Sequence, residues 1–318
     1  MSQSTAPRSR IVRWIQGDSG TRWGAGPEQY DEAASRILHR RMGRIFGEGR
    51  YFGLKVDGWE NLPADDNVLA VSNHSGGTTV LDGFGLWYAW QERFGFSRPG
   101  HVMAHEMIFA ADGPGRMFAQ LGAVRADRTM AVDVLKNWKR DLIVMPGGDR
   151  DTWRPWKDRY KVNFAGRTGY AKIAIKAGVS IVPIANAGAQ STLMVLTDGA
   201  PLARAMGLPK LARAEVFPIS LSFPWGLTIG PLPHLPPPTT LRYKIGAPIA
   251  PPITVAEGEE PPAWAVAQLD AQVQAAVQSM LNELKEESRP RQVIRQLRRR
   301  SVALLDGVRG SELLMAAK

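Results

Sequence analysis

Residues 67–82 read NVLAVSNHSGGTTVLD and carry the signals of a strand, a loop and a helix in succession. The apolar run at 67–72 is typical of a buried strand. It ends in a polar, glycine-rich turn at 73–77, and apolar residues resume at helical spacing from Val80. In α/β sheets, ligands bind beyond the carboxyl ends of the strands. We therefore expect residues 73–77 to lie at the ligand-binding edge of such a sheet.

The same alternation continues along the chain. It predicts an α/β fold with a mainly parallel sheet flanked by helices, and helical N- and C-terminal extensions. We expect a basic, helical segment at 1–50, the α/β domain at 51–262, and a C-terminal helix with a basic tail at 263–318. Residues 201–240 are rich in proline and aromatic residues, and we expect them to be irregular. The expected strands are 51–56, 67–72, 102–104, 122–125, 142–145, 181–184 and 241–245, and the expected helices are 28–47, 80–90, 113–119, 131–139, 169–177 and 263–287.

Composition narrows the classes of function. A chain of 318 residues is long enough for two domains, or for one α/β domain with terminal helices. It contains no cysteine, which excludes disulfides, thiolate metal sites, iron–sulfur clusters and a cysteine nucleophile. The net charge of +10 indicates a polyanionic partner, which leaves nucleic acid, an anionic membrane surface and a phosphorylated substrate open.

Neither of the two long uncharged windows is expected to span a membrane. The window at 177–197 carries several polar side chains, and the window at 216–241 contains seven prolines, which interrupt a spanning helix. Residues 1–16 lack the apolar core of a secretory signal, so we expect a cytoplasmic protein. Basic, amphipathic stretches at 8–15 and 289–300, with the apolar region 216–238, favour peripheral attachment to the inner leaflet.

His74 is the candidate general base, because it stands where the strand at 67–72 meets the glycine-rich turn. Imidazole titrates near physiological pH and accepts a proton from a hydroxyl if its other nitrogen is held. Asp82 is the nearest acidic residue downstream. The alternative is a purely structural histidine in a turn. No metal site is expected, since Glu106 is not placed between His101 and His105 as the His-Glu-x-x-His pattern requires.

Four blocks of sequence, taken together, resemble the glycerolipid and lysophospholipid acyltransferases, particularly their monoacylglycerol-acyltransferase-like branch. The resemblance covers roughly residues 55–250, and the joint order of the blocks is far more specific than any one of them. The first block joins 56–63 to 71–77, and the others are LGAVRADR at 121–128, MPGGDR at 145–150 and IVPI at 181–184.

The resemblance implies that His74 deprotonates the acceptor hydroxyl, which then attacks an acyl thioester, and that an aspartate orients the imidazole. The family usually has four residues between this histidine and this aspartate, and that spacing falls on Thr79 here. The role of the aspartate is therefore assigned to Asp82, with seven residues between it and His74. A backbone carbonyl is the alternative partner. The third block also departs, because Gly147 stands where many relatives have glutamate.

Candidate substrate-binding residues lie in the first three blocks. Backbone N–H groups of a tight turn are suited to stabilise the oxyanion of acyl transfer, although the glycines equally serve to form the turn. Residues 125–176 hold thirteen basic and six acidic residues, which suits phosphate on the acceptor or on coenzyme A, with a solvated basic face as the alternative. The candidates are Ser75, Gly76, Gly77, Arg125, Arg128, Gly147, Gly148 and Arg150.

The sequence thus predicts an acyltransferase that moves a fatty acyl group from acyl-CoA or acyl carrier protein to a hydroxyl of a lysophospholipid or partial glyceride, without a cofactor. A neutral monoacylglycerol, a long-chain alcohol or an amine-bearing lipid is an alternative acceptor. A non-catalytic lipid-binding or nucleic-acid-binding protein is the rival from another class. No nucleic-acid-binding motif is recognisable, so the expected partners are the acyl donor, the lipid acceptor and an anionic membrane surface.

Overall fold

The computed structural model describes residues 22–211 and 214–288. The basic stretches at 8–15 and 289–300 lie outside the described residues. Within the described residues the chain forms two β-sheets, one of seven strands and one of three.

The large sheet has the order β1-β10-β6-β2-β5-β3-β4. The five strands from β6 to β4 are parallel, whereas β10 is antiparallel to β6 and β1 is parallel to β10. The predicted mainly parallel sheet is therefore confirmed. Its strands are β1 (Phe52–Asp57), β2 (Leu69–Ser72), β3 (His101–Ala104), β4 (Ala123–Arg125), β5 (Leu142–Val144), β6 (Ile181–Ala187) and β10 (Thr239–Ile245).

Helices cover both faces of this sheet, and every residue of β2 and β6 is buried, which explains their continuous apolar character. On one face, apolar side chains recur every three or four residues from Val266 to Leu284 and pack into the core. On the other face, Met42, Leu86 and Trp90 contribute to a second core cluster. The helices are α1 (Glu32–Met42), α2 (Leu81–Phe94), α3 (Asp112–Gln120), α4 (Arg128–Lys136), α5 (Gly148–Thr152), α6 (Gly169–Ala177), α7 (Ala200–Ala205), α8 (Leu208–Leu211) and α9 (Ala263–Glu287).

The expectation that residues 201–240 are irregular is wrong. Besides α7 and α8, this region contributes β8 (Ile219–Ser222) and β9 (Gly226–Ile229), which form the small antiparallel sheet with β7 (Leu193–Thr197). Strands β8 and β9 are four residues each and are bounded by prolines and glycines. Such short segments carry little periodicity, so the density of turn residues hides them.

No helix in the described part of the chain is long and apolar enough to cross a membrane.

Candidate active site

The carboxyl end of β2 holds a histidine–aspartate pair. The His74 Nδ1 atom lies 2.8 Å from Oδ2 of Asp82, a residue of the first turn of α2. Asp82 is only 1% exposed and His74 is 15% exposed. With Nδ1–H donated to the carboxylate, the neutral imidazole carries its lone pair on Nε2. The pair therefore has the tautomer and the access that a general base needs.

The loop between these residues is a compact turn. Gly76 and Gly77 have φ angles of 96° and 65°, which glycine adopts without strain, and Val80 has a φ of 47°, which is unfavourable for a β-branched residue. Helix α2 begins directly after Val80, so the strained turn brings Asp82 back to His74. The Tyr243 hydroxyl on β10 donates to the Asp82 carbonyl at 2.7 Å and fixes the start of the helix.

Asp151 is a site residue that the sequence analysis missed. Its Oδ2 accepts the backbone N–H of His74 at 2.6 Å, and its carboxylate is ion-paired with Arg154, which is buried like Asp151 itself. A Cβ atom at Gly147 would clash with the Asp151 side chain and with the Asn163 carbonyl, so the third block needs glycine there. The available signal was an acidic residue directly after the Pro-Gly-Gly-Asp-Arg run.

The carboxylates around His74 set its pKa. Burial is the largest influence and lowers the pKa of the imidazole, but the charge and hydrogen bond of Asp82 and the charge of Asp151 outweigh burial, so the pKa is raised above 6.5. Burial raises the pKa of Asp151, while Arg154 opposes that change. The imidazolium formed by proton abstraction is thus stabilised.

A buried network joins the ends of β2 and β6. The Asn73 side chain donates to the Asn186 carbonyl at 3.0 Å and accepts the Asn186 N–H at 2.8 Å. The Ser75 hydroxyl donates to Oδ1 of Asn186 at 3.0 Å, and the Ser75 N–H donates to Asp82 at 2.8 Å. The backbone N–H groups of His74 and Ser75 are thus bonded to the carboxylates of Asp151 and Asp82. The next two N–H groups of the loop belong to Gly76 and Gly77. Asn186 lies 113 residues from Asn73, and no local pattern identifies it.

A small polar pocket adjoins this loop. Its walls include Ser75, Gly76 and Asp151. Thr152 Oγ1, Arg154 Nε and Gln190 Nε2 belong to other wall residues, are buried, and have no hydrogen-bond partner. Buried donors in native proteins are normally bonded to protein or to water. The pocket, of about 10 Å³, has room for one water-sized group beside the histidine–aspartate pair.

The candidate arginines do not converge on one point. Arg150, in α5, pairs with Glu215, and Arg167 bridges Glu215 and Asp149 with both distances 3.2 Å. Gly148, which has a φ of 52°, lies against the Arg167 guanidinium. Arg125 is paired with Glu106 and donates to the Trp23 carbonyl at 2.9 Å.

Arg128 lines a separate cleft of about 840 Å³. Lys136, Lys172 and Lys176 add positive charge to its walls, and Glu257 and Glu260 form ion pairs with these lysines. Helices α4 and α6 form the sides of this cleft. Its size falls in the range of small-molecule sites.

The other histidine candidates have structural partners. His101 is buried, its Nδ1 lies 3.0 Å from the Gly122 carbonyl, and burial lowers its pKa to about 4. His105 accepts the Met107 N–H at the start of the 3₁₀ turn 106–109. Across residues 22–211 and 214–288, no three His, Asp or Glu side chains are grouped so as to hold a metal ion.

Comparison with known proteins adds independent findings. Residues 53–187 match the family model described as Acyltransferase. Uncharacterized proteins of Mycobacterium tuberculosis and Mycobacterium bovis are each 30% identical over 220 residues, which is 69% of this chain and 58% of theirs. The chain therefore spans 58% of the length of these relatives.

Two further similarities involve proteins with described roles. A Gallus gallus protein named DGAT1/2-independent enzyme synthesizing storage lipids is 29% identical over 139 residues, 43% of this chain and 40% of that protein. The crystal structure of the 1-acyl-sn-glycerophosphate (LPA) acyltransferase, PlsC, from Thermotoga maritima has a TM-score of 0.46 at 21% identity. The match covers 81% of this chain and 78% of the PlsC chain.

Proposed function

Residues 53–187 form a domain of the acyltransferase family, and from this premise we propose that the protein transfers a fatty acyl group from an acyl thioester to a lipid hydroxyl, with His74 as the general base. The observation that carries the proposal is the 2.8 Å contact between His74 Nδ1 and the buried carboxylate of Asp82. That contact leaves Nε2 as the proton acceptor.

The chemistry proceeds in two steps. His74 Nε2 takes the proton of the acceptor hydroxyl as its oxygen attacks the thioester carbonyl carbon, which forms a tetrahedral oxyanion. When the oxyanion collapses, the carbon–sulfur bond breaks, the sulfur takes the proton from the imidazolium, and a free thiol and an oxygen ester are released. Asp82 orients the ring and stabilises its positive charge.

The N–H groups of Gly76 and Gly77 are the proposed oxyanion donors. They follow two amides already bonded to carboxylates and lie on the same turn as His74. A single donor to an oxyanion is worth about 2.7–4 kcal/mol of barrier. The adjoining polar pocket, with unpartnered donors on Arg154 and Gln190, is the proposed seat for a polar oxygen of the acceptor.

The proposed donor is a thioester whose carrier is phosphorylated, which describes both acyl-CoA and acyl carrier protein. The cleft beside Arg128 supports this, because two arginines and three lysines line it together with four acidic residues, which leaves an excess of positive charge. Arg150 and Arg167 provide a second cationic group near the third block, where an acceptor phosphate would compete with Glu215.

A lysophospholipid or a partial glyceride is the proposed acceptor. The similarity to an enzyme named for storage-lipid synthesis supports a glyceride, while Arg150 of the third block and the neighbouring Arg167 support a phosphate-bearing lipid. We place the protein at the cytoplasmic surface of a membrane, where such lipids are found. A cofactor plays no part in the proposed steps.

The test is thiol release from palmitoyl-CoA in the presence of lysophospholipids, monoacylglycerols, diacylglycerols, alcohols or amine-bearing lipids. We expect release that depends on one acceptor class and is lost in His74→Ala. His105→Ala is the matched control, because this histidine caps a turn outside the site. Equal activity of both variants would remove His74 as the base, and release without any acceptor would identify a thioesterase instead.

A further inference from the structure

The small sheet formed by β7, β8 and β9 carries apolar side chains on both of its sides. Its inward side carries Leu193 and Val195, but also Ser220 and Thr228, whose hydroxyls are buried and bonded to each other at 2.9 Å. Its outward side carries large apolar residues, since Leu221 stands opposite Leu227 in the register. Ordinary antiparallel sheets that face water carry polar side chains on the outward side.

Six side chains, which we call the apolar face, continue this outward side onto the neighbouring loops. They are between 42% and 66% exposed. Soluble monomers rarely expose contiguous apolar patches of this kind unless the patch binds something. The apolar face consists of Leu221, Phe223, Trp225, Leu227, Ile229 and Leu235.

The face is free of charge, and its one side-chain donor, the Trp225 indole N–H, is bonded. No Lys, Arg, Asp or Glu occurs between Glu215 and Arg242. The Trp225 indole N–H donates to the Pro233 carbonyl at 2.7 Å, and the Thr228 hydroxyl also bonds the Ser220 carbonyl at 3.0 Å. Burying these side chains in hydrocarbon therefore leaves no side-chain donor without a partner.

Charge favours a lipid surface over a second copy. The full chain carries a net charge of +10, of which residues 1–21 and 289–318 supply +8, so two full chains repel each other, whereas an anionic bilayer attracts each of them. Arg204, on α7, which begins three residues after β7 ends, is exposed between the exposed apolar residues Leu202 and Met206. An exposed cation among apolar side chains suits the headgroup level of a bilayer.

The apolar face is also joined to the loop between His74 and Asp82, which we call the catalytic loop. The hydroxyl of Thr78, which lies between His74 and Asp82, donates to the Leu232 carbonyl at 3.2 Å. A Cβ atom at Gly77 would lie 3.4 Å from the side chain of Leu193, the first residue of β7. The segment that bears the face thus packs directly on the turn between His74 and Asp82.

We propose that the apolar face docks on an anionic bilayer and that the catalytic loop beside it takes its acceptor from that bilayer. The docking rests on the exposed side chains alone, and the delivery of an acceptor rests on the proposed function.

The test is co-sedimentation of the full chain with vesicles of phosphatidylcholine containing a minority of phosphatidylglycerol. Replacing two apolar contacts by hydroxyls in Trp225→Ser/Leu227→Ser is expected to lower partitioning by at least about tenfold. Trp264→Ser is the matched control, because Trp264 is 57% exposed and Trp225 62%, yet Trp264 lies at the start of α9. We expect the control to sediment like the wild type.

Leu221→Ser/Ile229→Ser repeats the test with independent positions, and thermal unfolding by circular dichroism checks that all variants fold. Wild-type protein that stays in the supernatant, or a face variant that binds like the control, would overturn the proposal. So would a dimer in sedimentation velocity that the face variant loses, since the face then binds a second copy. Vesicle binding without thiol release leaves docking intact and rejects the proposed function, whereas thiol release without vesicle binding does the reverse.

Discussion

The two sheets of this protein distribute polarity in opposite ways. At the carboxyl edge of the large sheet, Asp82, Asp151 and Arg154 are charged groups withdrawn from water; Asp151 and Arg154 pair with each other, and Asp82 is hydrogen-bonded to His74. On the small sheet, Leu221 and Leu227 are apolar groups left in water. Burying a charge and exposing a hydrocarbon both cost free energy. The first cost is offset inside the chain by partner groups, whereas the second would be offset by the bilayer that we propose the apolar face binds.

The largest expected effect tests the buried charges. Asp151→Asn leaves the Arg154 guanidinium buried without its counter-charge, so the free energy of unfolding should fall by about 3–5 kcal/mol. Asp158→Asn is the matched control, because Asp158 and Lys161 form a pair of the same spacing whose lysine is exposed, and it should cost about 0–1 kcal/mol. Urea denaturation measures both. Equal losses would mean that burial does not distinguish the two pairs.

The next effect compares the two sides of the small sheet. Leu193→Ala removes an inward side chain packed with Trp153 and Val195, and should cost about 2–5 kcal/mol. Leu227→Ala removes an outward side chain and should change stability in solution by about 0.5 kcal/mol or less. A large loss for Leu227→Ala without lipid would show that the outward side is packed within the protein.

A smaller effect is a shift of the pH profile. The raised pKa of His74 places the acidic fall of kcat/KM above pH 6.5, because a protonated imidazole cannot accept the hydroxyl proton. Asp82→Asn removes the charge that raises this pKa, so the fall should move to lower pH while the maximal rate decreases. Kinetics across pH 5–9 on both proteins measure this shift. An unmoved acidic limb would assign it to a group other than His74.

The smallest effect concerns the half-exposed rim of the site. Arg150→Ala breaks a pair with Glu215 that is about one-third exposed, so stability should change by about 0–1 kcal/mol. If Arg150 binds an acceptor phosphate, KM should rise for a lysophospholipid and stay constant for a monoacylglycerol. An equal change for both acceptors would place Arg150 outside headgroup recognition.

Local sequence carries much of the fold but less of the site. The strand, turn and helix of residues 67–90 follow from apolar spacing and glycines, as do the boundaries of α6 and α9. Asp151 meets His74 across 77 residues, a contact that no local period encodes. The surroundings of the arginines are hidden for a related reason, because residue type reveals a charge but not that Arg125 pairs with Glu106 and Arg150 with Glu215.

The hydrogen bond from Tyr243 to Asp82 has a consequence for biogenesis. The two residues are 161 positions apart, so at about 5–20 residues per second the ribosome needs roughly 10–30 s to supply the tyrosine after the aspartate. Strand β1 waits slightly longer, since Phe52 pairs with Thr239 and β10 is the only neighbour of β1 in the seven-stranded sheet among the residues that the structure describes. The nascent chain thus exposes an open strand edge, which a chaperone can cover, until translation has passed residue 245. The histidine–aspartate turn receives its final support only then.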